Sequence, residues 1–503
     1  MDIAVIVVYL VGMVAVGYLG KRRATDETEY LVAGRRLGPA MYTGTMSALV
    51  LGGASTIGGV GLGYEFGISG MWLVVAIGCG VLLLSLAFAG RIQRVKVFTV
   101  SQLLELRYGT STTLLSALVM WAYTLMLTAT STIAYGTIFG VLFDMDRVPA
   151  IILGGSVVVA YSALGGMWSI TLTDIVQFVV QTVGILCVLL PVALWRAGGL
   201  GGIRDSLGDS RADTVFDVTA IGGGTILTYF VIYFFGILIG QDIWQRVFTA
   251  RSPQVARRAG AVAGLYCILY GVAGALIGTA AQVLVPGLEL RDDAFVAVTQ
   301  DVLPVGLTGL VLAAALAAIM STASGALIAT ATVARQDIAA GLRRLRGARV
   351  EPTNQGSGSP AAGAPADDEV QGNRTYVLVF GAVVIAIACV LQDVVAALTV
   401  AYDILVGGLL VPILGGLLWR RATAAGALTA MAAGTVGTLA TMAVVGDIYA
   451  NSPIYVGLGA GLVSFVGVSL ATRPTSEARM REWDRRSAGE AADTAGASKD
   501  GRR

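Results

Sequence analysis

The chain has 503 residues, of which 56% are hydrophobic and 13% charged, and it contains no histidine. That composition excludes an ordinary soluble domain, and the missing imidazole excludes histidine proton relays, histidine metal sites and Ser-His-Asp hydrolysis together. A formal net charge of +2 says less than where the charges fall.

Thirteen apolar spans are expected, at about 2–20, 39–64, 68–90, 111–143, 148–165, 172–195, 219–240, 259–285, 304–334, 375–391, 394–418, 422–445 and 454–472. Asp2 precedes the first run and Lys21-Arg22-Arg23 follow it. A cleaved signal peptide has its basic region in front, so this span reads as retained, with its start outside. With the spans alternating from there, 29 of the 34 Lys and Arg residues fall on the cytoplasmic side. Arg147, Arg196, Arg204, Arg211 and Arg291 lie outside. This asymmetry follows the positive-inside rule and predicts a multi-pass plasma-membrane protein with its amino terminus outside and its carboxyl terminus in the cytoplasm. Residues 1–472 form the transmembrane domain. Residues 343–374, rich in Gly, Ser, Pro and Ala, read as a flexible cytoplasmic linker inserted in it. Residues 473–503 read as a disordered tail, opening on a short exposed helix. Cys79, Cys187, Cys267 and Cys389 each sit singly in an apolar run, as packing residues do.

The second span carries Gly52-Gly-Ala-Ser-Thr-Ile-Gly-Gly59 in a stretch uncharged from Leu37 to Tyr64. Each interior Gly costs a helix about 1 kcal/mol relative to Ala. Such glycines either let helices pack closely or interrupt the helix. An interruption survives at membrane depth only where it is buried in protein or lines a polar cavity, and its freed carbonyls then bind an ion. Gly236-Ile-Leu-Ile-Gly240 repeats the signature at the head of the seventh span. Spans two to six (about 39–195) and seven to eleven (about 219–418) therefore read as an inverted repeat. Their site is expected where the two broken helices meet.

The ninth span is uncharged from Val302 to Ala334 and reads Leu316-Ala-Ala-Ile-Met-Ser-Thr-Ala-Ser-Gly325 at its centre. Ala318, Ser321 and Thr322 share one helix face. The hydroxyls either bond back to the preceding turn or join carbonyls released near Ala54 and Ile57 in a neutral all-oxygen cage, which suits a hard monovalent cation. Asp174 follows the Gly165-Gly166 turn inside an apolar span, so it is either a helix cap or a functional carboxylate.

At these residues the chain resembles the sodium:solute symporter family. The Ala54-Ser-Thr-Ile57 break, the Ala-Ile-Met-Ser-Thr-Ala-Ser helix, the Gly-Gly…Thr-Asp…Gln element, Gln241-Asp-Ile-Trp-Gln-Arg246 and Arg420-Arg421-Ala-Thr carry the resemblance over about residues 1–472. The resemblance implies an all-α membrane fold of the leucine-transporter type, a 5+5 inverted repeat with one extra helix in front and two behind. It implies sodium held by the carbonyls of Ala54, Ile57 and Ala318 and the hydroxyls of Ser321 and Thr322, with Asp174 on the cytoplasmic exit path. Ser324 suits a second ion, but Gly325 stands where another hydroxyl would be, which argues against one. Candidate solute contacts are Ser55, Thr56, Trp72, Tyr229, Tyr233, Thr399, Tyr402 and Asp403, an aromatic set with one acid that suits a small organic cation. The expected function is sodium-coupled uptake of a small organic solute by alternating access. The chain is expected to act as a monomer, with no organic cofactor and no enzymatic activity. The alternatives are a proton-coupled permease of the same fold and a transporter-like sensor.

Overall fold

The computed structural model describes residues 1–143, 145–346, 366–391, 394–447 and 450–489, and every regular element among them is a helix. Helix α1 spans Asp2–Lys21. Helix α2, Pro39–Val50, opens on a proline, whose missing N–H a first helical position does not need. It stops at Leu51 (φ −97°, ψ 71°). The chain resumes as one π turn, Ala54–Gly58, and then α3, Gly59–Phe66. Gly67, at φ +62°, turns it back into α4, Trp72–Leu83. Gly70 consequently packs on Leu62 and Gly63, and Gly59 faces Val74.

Next come α5, Val100–Tyr108, α6, Thr113–Phe143, and α7, Arg147–Gln181. Helix α7 contains a reversal. Gly165 and Gly166 leave helical geometry, Tyr161 packs on Gly17 of α1, and Ser169 donates to the Gly17 carbonyl at 2.5 Å. The chain therefore passes α1 twice, once in each direction, and Gly166 turns it at φ +54°. Helices α8, Gly223–Ile239, and α9, Gln241–Thr249, meet at a 42° bend, where Gly240 is extended (φ −64°, ψ 133°). Further along the chain, between shorter helical segments, come α10, Pro253–Leu284, α11, Leu307–Val333, α12, Ala366–Val390, α13, Val394–Leu418, α14, Ala424–Val445, α15, Ser452–Ala471, and α16, Glu477–Ala488.

Among the described residues, ten helices are long and apolar enough to cross a membrane, or eleven if the bent pair α8–α9 is one span. The thirteen expected spans differ from this count by taking α8–α9 as a span, the two legs of α7 as two, and α3 and α4 as parts of two. Helix α11 is the axis: its most apolar stretch is 100% buried, against 22% for α1 and α14 at the rim. A helix apolar on every side belongs either in a core or in lipid, and the burial separates the two cases. Helix α1 also caps α11. Asp2 Oδ1 accepts the Gly306 and Gly309 N–H groups at 2.5 and 3.0 Å, satisfying donors that a helix start leaves free.

The short helix expected after residue 473 is present as α16, with one side buried. Helix α16 is docked: Trp483 is buried, Arg479 donates to the Tyr108 carbonyl at 2.8 Å, and Arg420 meets Asp484 at 3.0 Å. Most of the expected linker, 347–365, and the end of the tail, 490–503, lie outside the described residues.

Candidate functional site

The break after Val50 strips the last carbonyls of α2 of their helical N–H partners, and two hydroxyls of α11 take them. Ser321 Oγ donates to the Ala48 carbonyl at 2.7 Å and Thr322 Oγ1 to the Leu49 carbonyl at 2.5 Å. Ser321 also bonds back to the Ala318 carbonyl at 2.8 Å. The approach requires glycine at 52, because a β-carbon there would stand 2.6 Å from Thr322 Oγ1. The face of α11 that carries Ser321 and Thr322 thus meets the chain at the first break. The carbonyls of α2 that the hydroxyls meet, Ala48 and Leu49, lie before the break, whereas Ala54 and Ile57 follow it. Ala54 faces the same cavity as Thr322, and Ile57 is buried within the π turn.

That cavity, of about 20 Å³, lies between both broken helices. Leu49, Gly52, Gly53, Ala54 and Ser55 line it from the first break, and Ile237, Asp242 and Ile243 flank Gly240 from the second. Thr322, Tyr402 and part of α6 close it. Of the eight predicted solute contacts, the structure brings Ser55 and Tyr402 to this wall. Thr56 instead shares a 2.8 Å hydrogen bond with Tyr270 of α10, and Trp72 donates to the Val218 carbonyl at 2.6 Å. Tyr229 and Tyr233 stack behind Tyr402, and Tyr233 shares a 3.0 Å hydrogen bond with Thr399. Asp403 is buried, and neither carboxylate oxygen has a hydrogen-bond partner among the described residues.

The acid at the wall, Asp242, was not singled out from sequence. It lies at the second position of α9 and accepts the Tyr123 hydroxyl at 3.0 Å. An Asp there reads as ordinary helix-start chemistry. The available signal was its place two residues after the second break.

Asp174 is not a helix cap. It sits well inside α7 and pairs with Arg246 of α9 at 3.1 Å, both side chains being fully buried. Thr45 of α2 donates to the same carboxylate oxygen. Arg246 also donates to Thr45 Oγ1 at 3.0 Å and to Met167 Sδ at 2.9 Å. Gly325 makes room for this guanidinium, since a β-carbon there would stand 3.0 Å from Arg246 Nη2. Ser324 bonds back to the Ser321 carbonyl at 3.0 Å. The network ties the half-helix before the break to α7 and α9.

The family model described as the sodium:solute symporter family matches residues 30–434. The high-affinity proline transporter PutP of Bacillus subtilis is 26% identical over 93% of this chain and 97% of its own length. A sodium/proline symporter of Staphylococcus aureus is 25% identical over 85% and 83%. Among solved structures, a Na+-coupled sialic acid symporter, substrate-bound and outward-open, matches 95% of this chain and 99% of its own at a TM-score of 0.78 and 18% identity. A nucleobase-cation-symport-1 family transporter in a closed conformation matches 92% and 98% at 0.53 and 15%. Residues 30–434 hold both helix breaks, the hydroxyl pair of α11 and the Asp174–Arg246 pair, and the chain belongs to the sodium:solute symporter family, whose members, this one included, are multi-pass membrane proteins that couple solute movement to sodium.

Proposed function

We propose that this symporter carries a small amino or imino acid of the proline kind into the cell, with sodium bound at the break between α2 and α3. The observation that carries the ion site is the convergence of the Ser321 and Thr322 hydroxyls on carbonyls freed by that break. In the ion-bound form the carbonyls of Ala54, Ile57 and Ala318 and the two hydroxyls surround the ion, and the bonds to Ala48 and Leu49 give way. An all-oxygen shell without formal charge holds a monovalent cation weakly enough to release it. Asp174 stands on the cytoplasmic exit path, and the guanidinium beside Gly325 favours a single coupled ion. The proline-class solute is supported by relatives that match nearly the full length and are named for proline.

The full architecture follows from treating each glycine-marked reversal as a crossing. Splitting α3 from α4 and the two legs of α7 restores thirteen spans, with repeats at about 39–195 and 219–418. The amino terminus then lies outside, the carboxyl terminus and 343–374 lie in the cytoplasm, and residues 1–472 act as one transporter unit in a monomer. Each sodium entering at a potential of 100 mV contributes about 2.3 kcal/mol, which coupling turns into solute accumulation when sodium favours the solute-holding conformer.

Proteoliposomes test this reading. Labelled L-proline should accumulate under an inward sodium gradient, and it should not when potassium replaces sodium at the same potential. Uptake driven by an imposed pH gradient without sodium would replace sodium coupling with proton coupling.

A further inference from the structure

We infer that Asp242 recognises a protonated nitrogen on the transported solute, which places that solute among the amines and the amino or imino acids. The inference rests on transport through the central cavity, as proposed above.

Asp242 is the acid that faces the cavity. It accepts the Tyr123 hydroxyl at 3.0 Å and the backbone N–H groups of Asp242 and Ile243. A carboxylate offers about four lone-pair positions, so acceptor capacity remains. No arginine or lysine pairs with it among the described residues. Arg246, one turn further along α9, has its three nitrogens committed to Thr45, Met167 and Asp174. A carboxylate buried without a cation is costly, and a cation entering the cavity offsets that cost.

Two chemistries compete for this acid, and the walls discriminate between them. A bare sodium ion needs several oxygen ligands at once, as hard cations do. The cavity wall carries the aliphatic side chains of Ile77, Leu127, Ile237 and Leu398 together with the hydroxyls of Ser55, Thr130, Ser131 and Thr322, of which Thr130 is bonded back to the Met126 carbonyl. A protonated amine on a small hydrocarbon frame fits both features: its N–H bonds the carboxylate and its methylenes meet the aliphatic wall. The Tyr402 ring, which packs edge-on against Tyr123 at 5.3 Å, adds attraction for a cation. The oxygens proposed for sodium, at Thr322 and the first break, line the same cavity. At about 20 Å³ it has room for about one water, so ion and solute both require it to open.

The test uses the full-length wild type and the D242N and D242E variants in proteoliposomes. The probes are labelled L-proline and its oxygen isostere, tetrahydrofuran-2-carboxylate, which has no ring N–H. In wild type the isostere should fail to compete. D242N should raise the proline KM about 10- to 100-fold, the range for losing one charge-assisted hydrogen bond, with the sodium half-saturation unchanged, and D242E should recover part of the loss. Isostere competition equal to that of proline overturns the inference, as does a D242N variant that shifts sodium half-saturation and leaves the proline KM alone. A thermal-shift series with and without sodium covers a wild type that ignores proline, with L-alanine, ethanolamine, lactate, pantothenate and glucose as probes. Sodium-dependent stabilisation by L-alanine or ethanolamine supports the inference; stabilisation confined to the other three, or by none, overturns it. A wild type without any response to sodium instead defeats the proposed sodium site.

Discussion

Arg246 meets the Asp174 carboxylate at 3.1 Å with neither side chain reaching solvent. The pair joins α9 to α7, and Thr45 adds α2 to the same knot. Removing one partner of a buried ion pair leaves an uncompensated charge, at about 3–5 kcal/mol. Asp174→Ala and Arg246→Ala should each lower the thermal midpoint of the purified protein sharply. The double variant should lose less than the sum of the two, and additive losses would show the pair to be energetically independent. Asp174→Asn, which keeps the shape, should still slow sodium-coupled uptake.

The sodium site makes a sharper forecast. Ser321→Ala and Thr322→Ala each remove one hydroxyl from the break, and the sodium half-saturation of uptake should rise about tenfold or more, the equivalent of one lost ligand interaction near 1.4 kcal/mol. Thr322→Ser should stay near wild type. Sodium dependence that is unchanged in both alanine variants discards the assignment.

Gly52→Ala should abolish transport although it adds a single methyl. The new carbon would stand 2.6 Å from Thr322 Oγ1, so the break and α11 must separate, and overpacking of this kind costs about 1–3 kcal/mol. Uptake and thermal stability measured together report both effects. Normal uptake would mean the two helices are free to part.

Trp483→Ala should release α16 from the body. Burying a large aromatic side chain contributes about 1.5–3 kcal/mol, and Arg479 and Asp484 hold the rest of this helix through single polar contacts. Limited proteolysis should then cut within 473–489 in the variant well before the wild type.

Composition and periodicity went furthest where the chain breaks its own rules. Glycines crowded at 52–59 and 236–240 marked the two helix breaks, and spacing alone put Ser321 and Thr322 on one face. Which way that face turns is a tertiary matter: the hydroxyls meet Ala48 and Leu49, before the break, and not Ala54 and Ile57 after it. The same limit explains Thr56 and Trp72, whose chemistry suits a solute but whose helices rotate them toward Tyr270 and Val218. Asp174 was visible as a misplaced charge, whereas its partner Arg246, 72 residues on, was counted among cytoplasmic cations. Asp242 looked like routine helix-start chemistry until Tyr123, 119 residues away, was seen to donate to it. The buried side of α16 was hidden because Trp483 is a lone aromatic in a highly charged segment.

The Asp2 carboxylate, which receives the Gly306 and Gly309 amides, has a practical corollary. The rod bearing Ser321 and Thr322 borrows its lid from a residue made some three hundred positions sooner. An affinity handle fused ahead of Met1 would press on that lid, whereas one placed beyond Gly489 would leave it undisturbed.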